Sequence, residues 1–125
     1  MKDVSLHTDA TLRHFWTEVG GDHLFGRELG PADGPPLVLV HGVVVSGRYM
    51  LPAGHELAKR GVRVLIPDLP GSGRSNKPWP PLGVAELADV LFEWLDTLNI
   101  TGPVDFAGNS FGCQILIEAA LRYRH

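Results

Sequence analysis

Three short, largely apolar runs constrain this chain most: Leu37–Val40, Val62–Ile66 and Val104–Ala107. Each is too short to be a helix and is followed by a segment of helical periodicity. Leu37-Val38-Leu39-Val40 is a continuous β-branched and leucine run, the pattern of a strand buried on both faces. Helical spacing is read from about Arg48 to Arg60, from Gly83 to Leu98 and from Phe111 to about Arg122. Gly61 follows Lys59 and Arg60, a cap and two cations suited to the negative end of a helix. In the second helix Leu87, Leu91, Trp94, Leu95 and Leu98 share a face, and Glu86, Asp89, Glu93 and Asp96 form the solvated one.

Ahead of this alternation, Leu12–Glu18 and Leu24–Leu29 flank Gly20-Gly21-Asp22, a hairpin signal. The expected fold class is α/β: a mostly parallel sheet with helices on both faces and an N-terminal hairpin. With 125 residues, the chain fits a single domain, 1–125, with residues 1–11 expected to be disordered. The 15 glycines and 10 prolines punctuate the periodic segments rather than forming low-complexity tracts.

Bulk properties narrow the function classes. Hydrophobic residues make up 44% and charged residues 20% of the chain, values of a globular protein. A net charge of −3 offers no basic field for nucleic acid or acidic membranes. One cysteine, Cys113, leaves no intrachain disulfide and no cysteine-based zinc cluster. Its expected place is a buried structural thiol. No signal core or membrane-length apolar stretch is read, so a cytoplasmic location is the default.

In a parallel α/β sheet the chemistry lies at the carboxyl ends of the strands. Three loops meet there: His41–Gly47, Asp68–Ser75 and Gly108–Gly112. The last reads Gly108-Asn109-Ser110-Phe111-Gly112, a G-x-S-x-G between a strand and a helix. Such a turn exposes a serine by forcing it into a strained backbone conformation, while the flanking glycines remove collisions with the adjoining strand and helix. The Phe111 N–H, at the start of a helix, is a candidate oxyanion donor. A second donor is expected from the loop after the first buried strand. Val43 is placed in that role behind His41 and Gly42, with Val44 next to it.

The segment Pro67-Asp68-Leu69-Pro70-Gly71-Ser72-Gly73-Arg74-Ser75 invites a phosphate-loop reading and fails it. G-x-G-x-x-G would need glycine where Asn76 stands, and Walker A would need G-K-[ST] where Asn76-Lys77-Pro78 stands. Asp68 is instead expected to accept backbone N–H bonds within a tight loop. Trp79, among Pro78, Pro80 and Pro81, is placed at an entrance or in a packed loop. Phe15 and Trp16 are read as strand core.

Taken in order, Leu37–Gly42, Pro67–Ser75 and Gly108–Gly112 resemble the N-terminal half of the α/β-hydrolase-fold family, in its serine-nucleophile branch. The resemblance implies an incomplete α/β-hydrolase fold, Ser110 as nucleophile, and Val43 and Phe111 as oxyanion donors. It gives His41, Gly42, Gly108, Gly112 and Asp68 supporting roles in the site loops. Serine in place of aspartate argues against the dehalogenase and epoxide hydrolase branches. The implied partner is a small ester-like or carbonyl substrate, with no cofactor, metal, nucleic acid or membrane.

The family's order is Ser, then Asp or Glu, then His. After Ser110 the sequence holds only Glu118 and His125. At about 1.5 Å rise per residue along a helix, His125 would lie roughly 20 Å from Ser110. The expectation is therefore a truncated hydrolase with poor activity alone, whose strand 104–107 leaves an exposed edge open to self-association. The alternative is a non-catalytic binding or interaction module that keeps a hydrolase-like half-fold.

Overall fold

The computed structural model describes residues 11–42 and 46–122. Five strands form one sheet: β1 (Arg13–Val19), β2 (Asp22–Leu29), β3 (Pro36–Val40), β4 (Arg63–Pro67) and β5 (Asp105–Gly108). Three helices alternate with the last of them: α1 (Leu51–Ala58), α2 (Val84–Thr97) and α3 (Phe111–Arg122). A 3-10 turn, Gly47–Met50, leads into α1.

The strand order is β1-β2-β4-β3-β5. β3 pairs in parallel with both β4 and β5, while β2 pairs antiparallel with β1 and β4. The sheet is thus mixed, with a parallel set of three strands joined by α-helical crossovers and an antiparallel hairpin on one side. Gly20 and Gly21 close that hairpin with φ of 55° and 92°. Two consecutive positive-φ residues give the loop whose twist matches the flanking strands.

Period-two alternation assigns each strand residue to a face. Val38, Val40 and Leu65 pack into the larger core with Leu87, Leu91, Trp94 and Leu95 of α2 and Ile115 and Ala119 of α3. Leu37, Leu39, Val64 and Ile66 point the other way, toward Leu51, Leu57 and Ala58 of α1. Helices therefore cover both faces. α1 ends in a Schellman arrangement, with Gly61 N–H bonded to the Ala58 carbonyl at 3.1 Å and Val62 N–H to that of Leu57 at 3.3 Å. The Glu86 carboxylate accepts from the Gly83 N–H at 2.8 Å, capping the start of α2.

Three sequence expectations need correction. Adjacent strand residues face opposite sides, so Phe15 turns inward and Trp16 is 57% exposed. Cys113 is exposed, because Ile115 and Ala119 set the inward face of α3 and Cys113 falls off it; its thiol donates to the Gly108 carbonyl at 3.1 Å. Trp79 stands out at 88% exposure rather than packing within its loop. The run 104–107 does form the sheet edge expected of it: β5 alternates exposed and half-buried residues, and among the described residues its outer edge has no partner strand. Most of the segment expected to be disordered, residues 1–10, lies outside the described residues.

Candidate active site

β5 and α3 are joined by a turn of two residues, Asn109 and Ser110. The chain must reverse from strand to helix there, and Ser110 absorbs the change with φ of 54°. For a residue bearing a Cβ this left-handed conformation is costly, and it persists only where the surroundings enforce it. The enforcement is visible on both sides. The Asn109 N–H donates to the Val40 carbonyl at 3.1 Å, tying the turn to β3. A Cβ on Gly112 would fall on the Val40 carbonyl oxygen, and one on Gly108 would lie 2.8 Å from the Gly112 carbonyl carbon. Both glycines are thus required by close backbone approach, and Ser110 is left exposed at the carboxyl end of the parallel strands. Phe111 is the first residue of α3. Its N–H belongs to the first turn, where the helix itself supplies no acceptor and its dipole favours negative charge.

The loop after β3 approaches this turn. A Cβ on Gly42 would sit 3.3 Å from the Asn109 carbonyl oxygen and 3.5 Å from Ser110 Cβ. The Gly42 N–H is held by the Tyr49 hydroxyl at 3.2 Å. Val43 and Val44 lie outside the described residues, as does His125.

His41 reaches the correct edge of the sheet but is fully committed. It is 1% exposed; its Nδ1–H donates to the Gly42 carbonyl at 2.7 Å and its Nε2 accepts from the Leu69 N–H at 2.9 Å. That pair of bonds defines a neutral tautomer. Burial lowers the His41 pKa, outweighing the Gly42 carbonyl and the Asp68 charge, which act to raise it. The imidazole joins two site loops and has no free nitrogen for a proton from Ser110. His14 and His23 lie on the hairpin strands and His55 on α1. Glu118 lies on α3, two turns beyond Ser110, within 3.9 Å of Arg122.

Asp68 is the hub of the third loop. Its Oδ1 accepts from the Gly47 N–H and from Arg27 Nη1, both at 2.7 Å, and its Oδ2 accepts from the Arg74 N–H at 3.0 Å. Burial alone would raise its pKa; the Arg27 guanidinium, then the Arg74 and Gly47 amides, reverse that and hold the carboxyl below its ordinary range. The glycine-rich loop therefore does cradle an anion, and that anion is the chain's own carboxylate. Ser75 completes the tie to β2, accepting from the Phe25 N–H at 2.9 Å and donating to the Asp68 carbonyl.

Sequence reasoning missed two contributors. Arg27 interrupts an apolar strand, and an arginine between buried neighbours is a signal for a buried acid partner. Tyr49 left no comparable trace.

A sequence model described as the alpha/beta hydrolase fold matches residues 35–125. Over 97 residues the chain is 56% identical to a haloalkane dehalogenase of Mycobacterium marinum, covering 71% of this chain and 32% of the relative. Over 98 residues it is 40% identical to the magnesium-chelatase 30 kDa subunit of Rhodobacter capsulatus, covering 75% and 33%. Among solved structures, an N-acyl homoserine lactonase, AidH, superposes with a TM-score of 0.81 at 31% identity, covering 91% of this chain and 42% of the lactonase. The chain spans about a third of the length of the curated relatives it matches.

Proposed function

The chain belongs to the alpha/beta hydrolase fold family, and from that membership we propose that it is the nucleophile-bearing part of a hydrolase acting on a small ester-like or carbonyl substrate. The observation that carries this reading is Ser110, exposed and strained between β5 and α3. In the proposed reaction Ser110 Oγ attacks the substrate carbonyl carbon and gives up its proton to a base. The carbonyl oxygen becomes an oxyanion received by the Phe111 and Val43 amides. Collapse expels the alcohol or amine leaving group, which takes the proton, and water then releases the acid from the acyl-serine.

The family order of nucleophile, acid and histidine puts the base after the acid, and His41 is already occupied on both nitrogens. These 125 residues alone are therefore expected to turn over slowly. The kinship with a haloalkane dehalogenase does not extend this reading to carbon–halogen chemistry. Displacing halide from a saturated carbon calls for a carboxylate nucleophile, and Ser110 stands in its place.

The test is active-site labelling. A fluorophosphonate should modify the chain once, slowly, at Ser110 by intact-mass analysis, and not at all in Ser110→Ala. p-Nitrophenyl acetate hydrolysis should be weak and lost in the same variant, with no halide released from 1-bromobutane. Labelling unaffected by Ser110→Ala, or halide release, would sink the proposal.

A second reading has its own observation. The open edge of β5 is flanked by apolar cavities lined by Phe92, Val104, Phe106 and Leu116. An interaction module would use this edge to pair with another chain.

A further inference from the structure

Away from Ser110, one surface cavity concentrates positive charge. It has a volume of about 470 Å³ and opens between the start of β1, the middle of β2, the 3-10 turn and the loop after β4. Its walls carry Arg27, Arg48 and Arg74 against a single carboxylate, Asp68. Ser110 does not line it.

That carboxylate has no capacity left for the outer arginines. Both Asp68 oxygens are taken by Arg27 and by the Gly47 and Arg74 backbone amides. Arg27 is thereby neutralised, at 2.7 Å and with 6% of its side chain exposed. The Arg48 and Arg74 guanidinium groups form no ion pair among the described residues. Two cations with no acidic partner among the described residues, in one concave wall, are a local inversion on a chain whose net charge is −3.

One of the two, Arg74, is also partly held in place. Arg74 lies over the Phe25 ring at 4.8 Å from its centroid, and Arg27 lies 4.9 Å from the same ring. A guanidinium already stacked on an aromatic face loses less freedom when it takes up a ligand, and its planar fork matches a carboxylate or phosphate. The rest of the wall is mixed: Leu12, Leu51 and Phe25 supply apolar surface beside the polar His14 and Ser46. A bare inorganic ion would leave that surface unused.

We infer that this cavity is a binding site for a small organic anion, a carboxylate or phosphomonoester with a short apolar body. Its charged head meets Arg48 and Arg74, and its body lies on Leu12 and Leu51. The site is independent of the Ser110 chemistry. It does touch the same machinery, because Ser46 and Arg48 of its wall flank Gly47, the end of the loop that begins at His41.

Isothermal titration at low ionic strength tests it, with phenyl phosphate, benzoate and the neutral benzyl alcohol as probes. At least one of the two anions should bind saturably and benzyl alcohol should not; which anion is tighter identifies the preferred head group. Arg48→Gln with Arg74→Gln should weaken the anion about tenfold or more, as expected for losing charged hydrogen bonds. The pair Lys59→Gln with Arg60→Gln, which removes the same charge from the end of α1, should leave affinity unchanged, and so should Ser110→Ala. Should the arginine double variant not fold, Arg48→Gln alone makes the same comparison, since that side chain is exposed. Absence of saturable binding by both anions, equal binding of benzyl alcohol, or equal loss in the two double variants overturns the inference.

Discussion

At the scale of single residues, the buried Arg27–Asp68 pair and His41 carry the sharpest expectations. Asp68→Asn removes the charge that neutralises Arg27 while that guanidinium stays 6% exposed. Breaking a buried pair from one side is expected to cost about 3–5 kcal/mol, measurable as a shift in urea unfolding. His41 supplies a pH signature. Its folded pKa lies below the ordinary value of 6.5. As pH falls through 6.5 the unfolded chain gains a proton that the folded chain refuses, so stability is present above that pH and lost below it. The slope from one such group reaches about 1.4 kcal/mol per pH unit. Asp68 adds a second loss at more acid pH, below its ordinary 3.8. The check is an NMR titration of the His41 ring beside urea melts: the ring should titrate below pH 6.5 as stability declines. Titration of His41 near 6.5 would refute the link. Neither role was fully legible in the sequence. Asp68 was expected to accept backbone amides, but its partner Arg27 sits 41 residues earlier, on β2, and no local pattern encodes that meeting.

At the scale of elements, the strand–turn–helix unit around Ser110 is closely packed against β3. Gly112→Ala would drive a methyl group onto the β3 backbone at Val40. Overpacking of this kind typically costs about 1–3 kcal/mol, and here the relief must come from backbone. A lowered thermal midpoint is expected, along with loss of fluorophosphonate labelling as Ser110 shifts. Elements of this sort were readable because periodicity and punctuation coincide. The run at 37–40 carries the pattern of a buried strand and the run at 62–66 that of the next strand, and α2 showed its apolar face directly. What stayed hidden depended on geometry between elements. The 3-10 turn at Gly47–Met50 had no distinct periodicity, and Cys113 looked core-like until Ile115 and Ala119 fixed the rotation of α3.

At the scale of the whole molecule, the edge of β5, unpaired among the described residues, dominates. Phe106 belongs to the larger core's margin and meets Phe92 in a tilted contact, with ring centroids 5.7 Å apart. Ile117 and Leu121 of α3 are also exposed, at 62% and 60%. Light scattering of these 125 residues should show concentration-dependent association, and Ala107→Lys, on the exposed side of β5, should reduce it. A monomer at all concentrations would refute self-pairing. The same topology has a bearing on how the chain is made. β3 sits inside the sheet, yet Leu37 pairs with Asp105, so its outer neighbour leaves the ribosome only after α1, β4 and α2. Throughout that interval the most apolar strand of the protein offers a bare ladder of amides and carbonyls. A nascent chain stalled near Ile100 should therefore be the form that a chaperone binds, and completion of β5 the event that releases it.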